Sequence, residues 1–224
     1  RTLRIKRALQ IPSFAFRKLN IQKWLLVNFK MHLMPSENIV ARYMETVKHL
    51  NVINDGKGLE YFIPDGMKLT TNDIPMSHWA GYVGAVIGSS YTTKKLPVEK
   101  WKELIELIPF PVILMGGPED KVEGDEIAAL DNIKIYNACG KFDLNESALL
   151  VKDAQVIATN DTGLMHIAAA FQKPIVSFWG NTSPEMGMFP YYGTNTLTTS
   201  IKTLKMLENK ELSCHPCSKI GYYK

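Results

Sequence analysis

The sequence predicts an α/β protein built on a parallel, doubly wound sheet. Two observations carry this. From Gly81 onward, short apolar runs alternate with helical stretches of about ten residues, the pattern of βαβ units. The runs also end in turn or cap chemistry, as in Gly116-Gly117, Asp161-Thr162-Gly163 and Gly180. Right-handed crossovers then bring every strand's C-terminal end to one edge, where such sheets bind ligands.

In chain order, residues 3–10 read as a helix and Pro12 to Asn20 as a connection. Trp24–Asn28 reads as a short strand. Glu37–Leu50 has helical spacing (Ile39, Tyr43, Val47, Leu50), with Ser36 as N-cap. Asn54 to Gly58 is turn chemistry, and Leu59–Ile63 reads as a strand. Pro64 to Ala80 lacks periodicity and reads as a linker. Then follow strand Tyr82–Gly88, helix Pro97–Leu107 opening on proline, strand Pro111–Met115 and helix Asp120–Leu130. Strand Ile133–Tyr136, helix Leu144–Lys152 capped by Asp143 or Asn145, strand Gln155–Thr159, helix Gly163–Phe171 and strand Pro174–Trp179 complete the series.

Composition narrows the class. The 224 residues are 46% hydrophobic and 21% charged, ordinary for a globular chain. No apolar run reaches the length of a spanning helix. Three cysteines cannot close a disulfide framework, which fits a reducing compartment. In that setting, the glycosylation-type strings at Asn160 and Asn181 are accidental. The net charge of +4 is uneven: residues 1–36 hold eight basic residues and no acid, leaving 18 basic and 22 acidic groups in the rest. The front end looks in part like a transit peptide, but Pro12 interrupts its helix. It reads either as a solvated basic face or as a surface for an anionic partner. The chain starts with Arg1, so a fragment of a longer protein is expected.

Three strand ends carry chemistry. One supplies cations in Thr93-Lys94-Lys95, one the Gly116-Gly117 turn with Glu119 and Asp120, and one Asp161-Thr162-Gly163 followed by His166. A helix opening at Thr162-Gly163 directs free N–H groups and partial positive charge toward an anion such as a diphosphate. Gly163 admits the ligand to the backbone, and His166 shares that helix face. Taken singly, each has a plainer reading: a helix cap, a core histidine, a solvated lysine pair, a turn. Their placement on one edge favours a site.

Other motifs are set aside. Asp-Thr-Gly of an aspartic protease needs an all-β setting. Neither a dinucleotide fingerprint nor a Walker A string is present. Cys214-His-Pro-Cys217 fits half a zinc site or a redox pair, without a second ligand pair.

The string Asp161-Thr-Gly-Leu-Met-His-Ile-Ala-Ala-Ala170, with Lys173 to Thr182 behind it, resembles glycosyltransferase family 9, the ADP-heptose:lipopolysaccharide heptosyltransferases. Thr93 to Pro97 followed by Trp101, Leu114 to Asp120, and Gly140 to Leu144 agree. The match is strong over residues 81–182 and weaker over 20–64. The resemblance implies a GT-B architecture of two Rossmann-like domains, the N-terminal one truncated. Residues 1–80 would be part of the acceptor-side domain plus linker, and 81–224 the donor domain. It implies an inverting transferase that takes a nucleotide sugar, ADP-heptose in type, and a lipopolysaccharide-core acceptor, without a metal or resident cofactor. Thr93, Lys94, Lys95, Gly117, Asp120, Phe142, Asp161, Thr162, Gly163 and His166 would bind the donor. Lys94 would stabilise the leaving diphosphate and Asp161 would act on the sugar, while Asp120 would accept from ribose and Phe142 pack on the base. The general base is expected upstream of this chain. The implied location is cytoplasmic, with peripheral contact to the anionic inner-membrane face and no nucleic-acid partner. The competing expectations are a nucleotide-sugar-binding module without catalysis, a transferase for another nucleotide sugar, and a metal or redox module at the two tail cysteines.

Overall fold

A computed structural model describes residues 2–70, 72–193 and 204–222. Six parallel strands form one sheet: β1 (Val83–Val86), β2 (Val112–Met115), β3 (Ile135–Asn137), β4 (Val156–Asn160), β5 (Ile175–Trp179) and β6 (Leu204–Glu208). Their spatial order is β3-β2-β1-β4-β5-β6. The order reverses direction between β1 and β4, which pair in register from Val83↔Val156 to Val86↔Thr159. That reversal is the topological switch point, where neighbouring connections diverge and leave a crevice.

Side-chain alternation builds two cores, one on each face of the sheet. Val83, Ala85, Val112 and Leu114 face one way and pack with Trp101, Ile105 and Ile127. These last belong to α4 (Val98–Leu107) and α5 (Lys121–Ala128). Val86, Ile113, Met115 and Ile157 face the other way, against α6 (Leu144–Asp153) and α7 (Gly163–Ala170). Ala168 and Ala169 are fully buried, and their small side chains allow α7 to lie close on the sheet. Asp143 caps α6 by accepting from the Glu146 N–H, and Glu146 returns the bond to the Asp143 N–H.

The N-terminal portion departs from the sequence-based reading. The helix expected over residues 3–10 forms as α1 (Thr2–Leu9), while Arg1 lies outside the described residues. Trp24–Asn28 is not a strand but the second half of a helix, α2 (Asn20–Phe29). A four-residue apolar run carries too little periodicity to separate the two. Here Leu26 and Val27 pack on Met186, and Lys30 stops the helix in the left-handed conformation.

Residues 37–50 contain α3 (Ile39–Met44) followed by a 3-10 turn from Glu45 to Leu50. The cap is Asn38, not Ser36: its Oδ1 accepts from Val40 N–H while its amide donates to Phe189 O, tying the helix to a distant loop. Leu59–Ile63 forms no strand. Gly58, at φ +100°, turns the chain hard against the Tyr192 carbonyl. The segment then lies over α6 and α7 through side chains, with Tyr61 donating to Asn145 and meeting the Phe171 ring edge-on.

The aperiodic stretch from 64 to 80 is anchored by His78. That side chain is fully buried, and its Nε2 lies 3.2 and 3.1 Å from the carbonyls of Val112 and Lys134. β6 had no counterpart in the sequence reading. No helix among the described residues is long and apolar enough to cross a membrane.

Candidate functional site

The site lies where β1, β2 and β4 end. Asn160, the last residue of β4, is fully buried and fastens this edge. Its amide donates to Ile87 O at 2.9 Å, and its Oδ1 accepts from Leu96 N–H at 2.9 Å. One side chain thus joins the end of β1, the end of β4 and the loop that carries the lysines. Sequence reading missed Asn160 because a polar residue closing a strand looks like a turn until its partners are known.

That loop closes in a 3-10 turn over Thr92–Lys94. It sits against Gly180, where a Cβ would come within 2.5 Å of Thr93 O. Lys94 is thereby aimed at β4: its Nζ lies 2.6 Å from Asp161 Oδ2, with both side chains largely buried. Thr182 Oγ1 donates to the same carboxylate oxygen at 3.2 Å. The backbone then opens α7. Thr162 is extended, no side chain caps the helix, and its first turn has no acid. A Cβ placed on Gly163 would meet nothing within 4 Å, so open space lies beside the first residue of the helix. His166 follows on the same helix. Burial lowers its pKa, Asp161 raises it and Lys94 lowers it further, which places the ring in the field of both.

A cleft of about 340 Å³ opens in front of this helix end. Thr162, Gly163 and Leu164 form one wall, Phe142 and Leu144 another, and Gly116, Gly117 and Glu119 the third. Phe142 is half-buried, and Glu119 is exposed. A flat ring fits between such walls, with an anion toward Gly163.

The expected donor residues divide into two groups. Thr162 and Gly163 line the cleft, with Gly117 and Phe142 across it, while Lys94 and Asp161 pair next to Thr162 and His166 lies in the field of that pair. Lys95 and Asp120 instead engage each other. Asp120 is 1% exposed; its Oδ1 meets Lys95 Nζ at 2.5 Å and its Oδ2 accepts from Gly117 N–H at 2.8 Å. Glu123 completes the arrangement at 3.0 Å from Lys95. Burial works to lower the Lys95 pKa, but the two carboxylates outweigh it and raise it. Gly88 and Gly116 make room for this carboxylate, since a Cβ on either would lie 2.2 or 2.7 Å from Asp120 Oδ2. Asp120 therefore forms part of the cleft floor, while Glu119 and the α6 cap Asp143 are exposed carboxylates on the cleft. Thr93 turns its hydroxyl to Gly221 O, away from the cleft.

The tail packs beside the site. Lys30 Nζ donates to Cys214 O at 2.7 Å and to Pro216 O at 2.9 Å. The Cys214 and Cys217 sulfurs are 3.1 Å apart. Among the described residues, no three His, Cys, Asp or Glu side chains are grouped to hold a metal ion.

Comparison with known proteins bears on this geometry. A family model described as "Glycosyltransferase family 9 (heptosyltransferase)" matches residues 10–217. Lipooligosaccharide heptosyltransferase 2 of Haemophilus influenzae is 30% identical over 137 residues, 58% of this chain and 38% of that protein. Lipopolysaccharide heptosyltransferase 2 of Salmonella typhimurium is 28% identical over 163 residues, 66% of this chain and 47% of that one. Among solved structures, the E. coli ADP-heptose lps heptosyltransferase II superposes with a TM-score of 0.52 at 25% identity, over 61% of this chain and 41% of that chain. The chain spans less than half the length of these curated relatives.

Proposed function

The chain belongs to glycosyltransferase family 9, and from that premise we propose that it carries the donor-binding part of an enzyme that transfers heptose from ADP-heptose to a lipopolysaccharide-core acceptor. The single observation that carries this is the open N-terminus of α7 beside the Lys94–Asp161 pair, at the sheet's switch point. Residues 81–224 would bind the nucleotide sugar, and residues 1–80 would belong to the acceptor side.

In the transfer, an acceptor hydroxyl attacks the anomeric carbon from the face opposite the diphosphate, inverting that centre. The C–O bond to the diphosphate breaks and nucleoside diphosphate leaves with the bonding electron pair. The negative charge that grows on the leaving oxygen meets Lys94 and the N–H groups of Thr162 and Gly163, fixed donors that need no rearrangement. These groups supply the stabilisation a metal would otherwise give. Asp161, held by Lys94 and Thr182, lies next to the place where the sugar enters and would accept from its hydroxyls. Phe142 would pack on the base and Glu119 accept from the ribose. The general base is not assigned to any residue of this chain.

The basic front end fits an acceptor rich in phosphate and carboxylate, or the anionic cytoplasmic face of the membrane that carries it. Calorimetric titration with ADP, UDP, GDP and their sugars tests the donor. A clear preference for ADP is expected. Preference for UDP would retain the fold and replace the substrate. Donor binding without transfer by the full-length protein would instead make this a nucleotide-sugar-binding module.

A further inference from the structure

A second cavity lies on the other side of Asp161 from the nucleotide cleft. It measures about 280 Å³, and its walls bring together Lys18 and Lys23 from the front end, Lys219 from the tail, and Lys94 and Asp161 from the site. Asp161 is the one carboxylate among the described lining residues, and Lys94 already holds it at 2.6 Å. Among the described residues, neither Lys18, Lys23 nor Lys219 is ion-paired with a carboxylate. Three cations from the two ends of the chain thus meet on one cavity, none of them ion-paired with a carboxylate among the described residues.

Two further sources of positive potential reach the same place. α2 opens at Asn20 on the cavity wall, with no side-chain cap and no acid in its first turn. Its free N–H groups add partial positive charge there. Arg42, 2% exposed, stands close enough to act on Lys23, and its Nε has no partner. Burial first, and then Arg42 and Lys219, hold the Lys23 pKa below its ordinary value. An anion entering the cavity would offset this positive potential. Phe16, Met186 and Met188 line the remaining wall and lower the local dielectric, which strengthens the attraction between these cations and an anion held there.

We propose that this cavity is a phosphoryl-binding subsite, separate from the nucleotide cleft and placed on the acceptor side of Asp161. The choice of side rests on the donor reading above; the recognition of a phosphoryl group rests on the lysines themselves. The group would come either from a phosphate borne by the acceptor or from the donor's own diphosphate.

Titration with inorganic phosphate, followed by phosphorus NMR with and without saturating ADP, distinguishes these. Phosphate is expected to bind equally in both conditions. Lys23→Gln with Lys219→Gln is expected to weaken it about tenfold or more, while thermal melting confirms that the variant is folded. Lys23→Arg is expected to retain binding. Displacement of phosphate by ADP would assign the anion to the donor and overturn a separate subsite, as would unchanged phosphate affinity in the double variant. If ADP fails to bind while phosphate still depends on Lys23 and Lys219, the donor reading falls and the subsite stands.

Discussion

Lys94 and Lys95 are adjacent in sequence, and each is paired with an aspartate, yet the two pairs do different work. Lys94 and Asp161 meet on the wall of the 280 Å³ cavity, next in sequence to Thr162, which lines the cleft. Their side chains retain 15% and 8% exposure, and open space lies beside the first residue of the helix that follows. Lys95 and Asp120 meet beneath the cleft, with Asp120 at 1% exposure and two glycines reserved for its carboxylate. Consecutive residues leaving a 3-10 turn point in different directions, so one lysine reaches β4 and the other α5. The difference teaches that an ion pair on a binding edge can shape the edge or face the ligand, and that burial and residual hydrogen-bonding capacity tell which.

The largest effect should come from breaking the floor. Asp120→Ala leaves Lys95 without its deeper partner and vacates space that Gly88 and Gly116 enclose. Removing one member of a buried pair costs about 3–5 kcal/mol. Chemical denaturation should show a loss near the lower figure, because Glu123 remains beside Lys95. A loss under about 1 kcal/mol would dissolve the distinction between the pairs.

The next effect should fall on function rather than folding. Lys94→Ala removes the cation expected to meet the diphosphate. Oxyanion-type donors are each worth about 10²–10³ in rate, so transfer by the full-length protein should drop on that scale, with a much smaller change in stability than Asp120→Ala causes. A variant that transfers as the parent does would remove Lys94 from the mechanism.

Gly163→Ala is a finer probe of the same edge. The added methyl group meets nothing in the empty protein, so stability should change by no more than about 0.5 kcal/mol. It stands in the path of a ligand approaching the backbone, so ADP affinity by calorimetry should fall several-fold. Unchanged affinity would move the diphosphate elsewhere.

The smallest effect is set by pH. Burial lowers the pKa of His78 from the ordinary 6.5, and His166 is shifted the same way. The unfolded chain therefore takes up these protons at higher pH than the folded one. Stability is fully present above about pH 6.5 and declines as pH falls through that value toward the folded pKa. Melting temperature against pH should show this decline, and His78→Gln should flatten it. A profile level between pH 7 and 5 would contradict the shift.

Much of residues 81–182 was legible in the sequence. The strands and helices from β1 to β5 were expected within one or two residues at most ends, because apolar period and cap chemistry are local signals. The convergence of Asp161, Thr162, Gly163 and His166 followed from the parallel topology, since a strand that runs into a helix can present its end at only one edge. The front portion was harder. Trp24-Leu25-Leu26-Val27 is too short to declare its period, and Leu59–Ile63 is extended without any strand beside it. β6 carries only partly buried and exposed side chains, so it lacked the apolar run that announced the others.

The sequence by itself determined the alternation, the sheet's parallel sense and the edge that carries the candidate site, because apolar period and cap chemistry are local and the succession of strand and helix fixes the rest. Only the tertiary structure decided which lysine faces Asp161, which acids are exposed at the cleft, and that Lys18, Lys23 and Lys219 share one cavity. Those outcomes depend on side-chain direction and on contacts between residues up to two hundred positions apart. Local patterning carries no information about either.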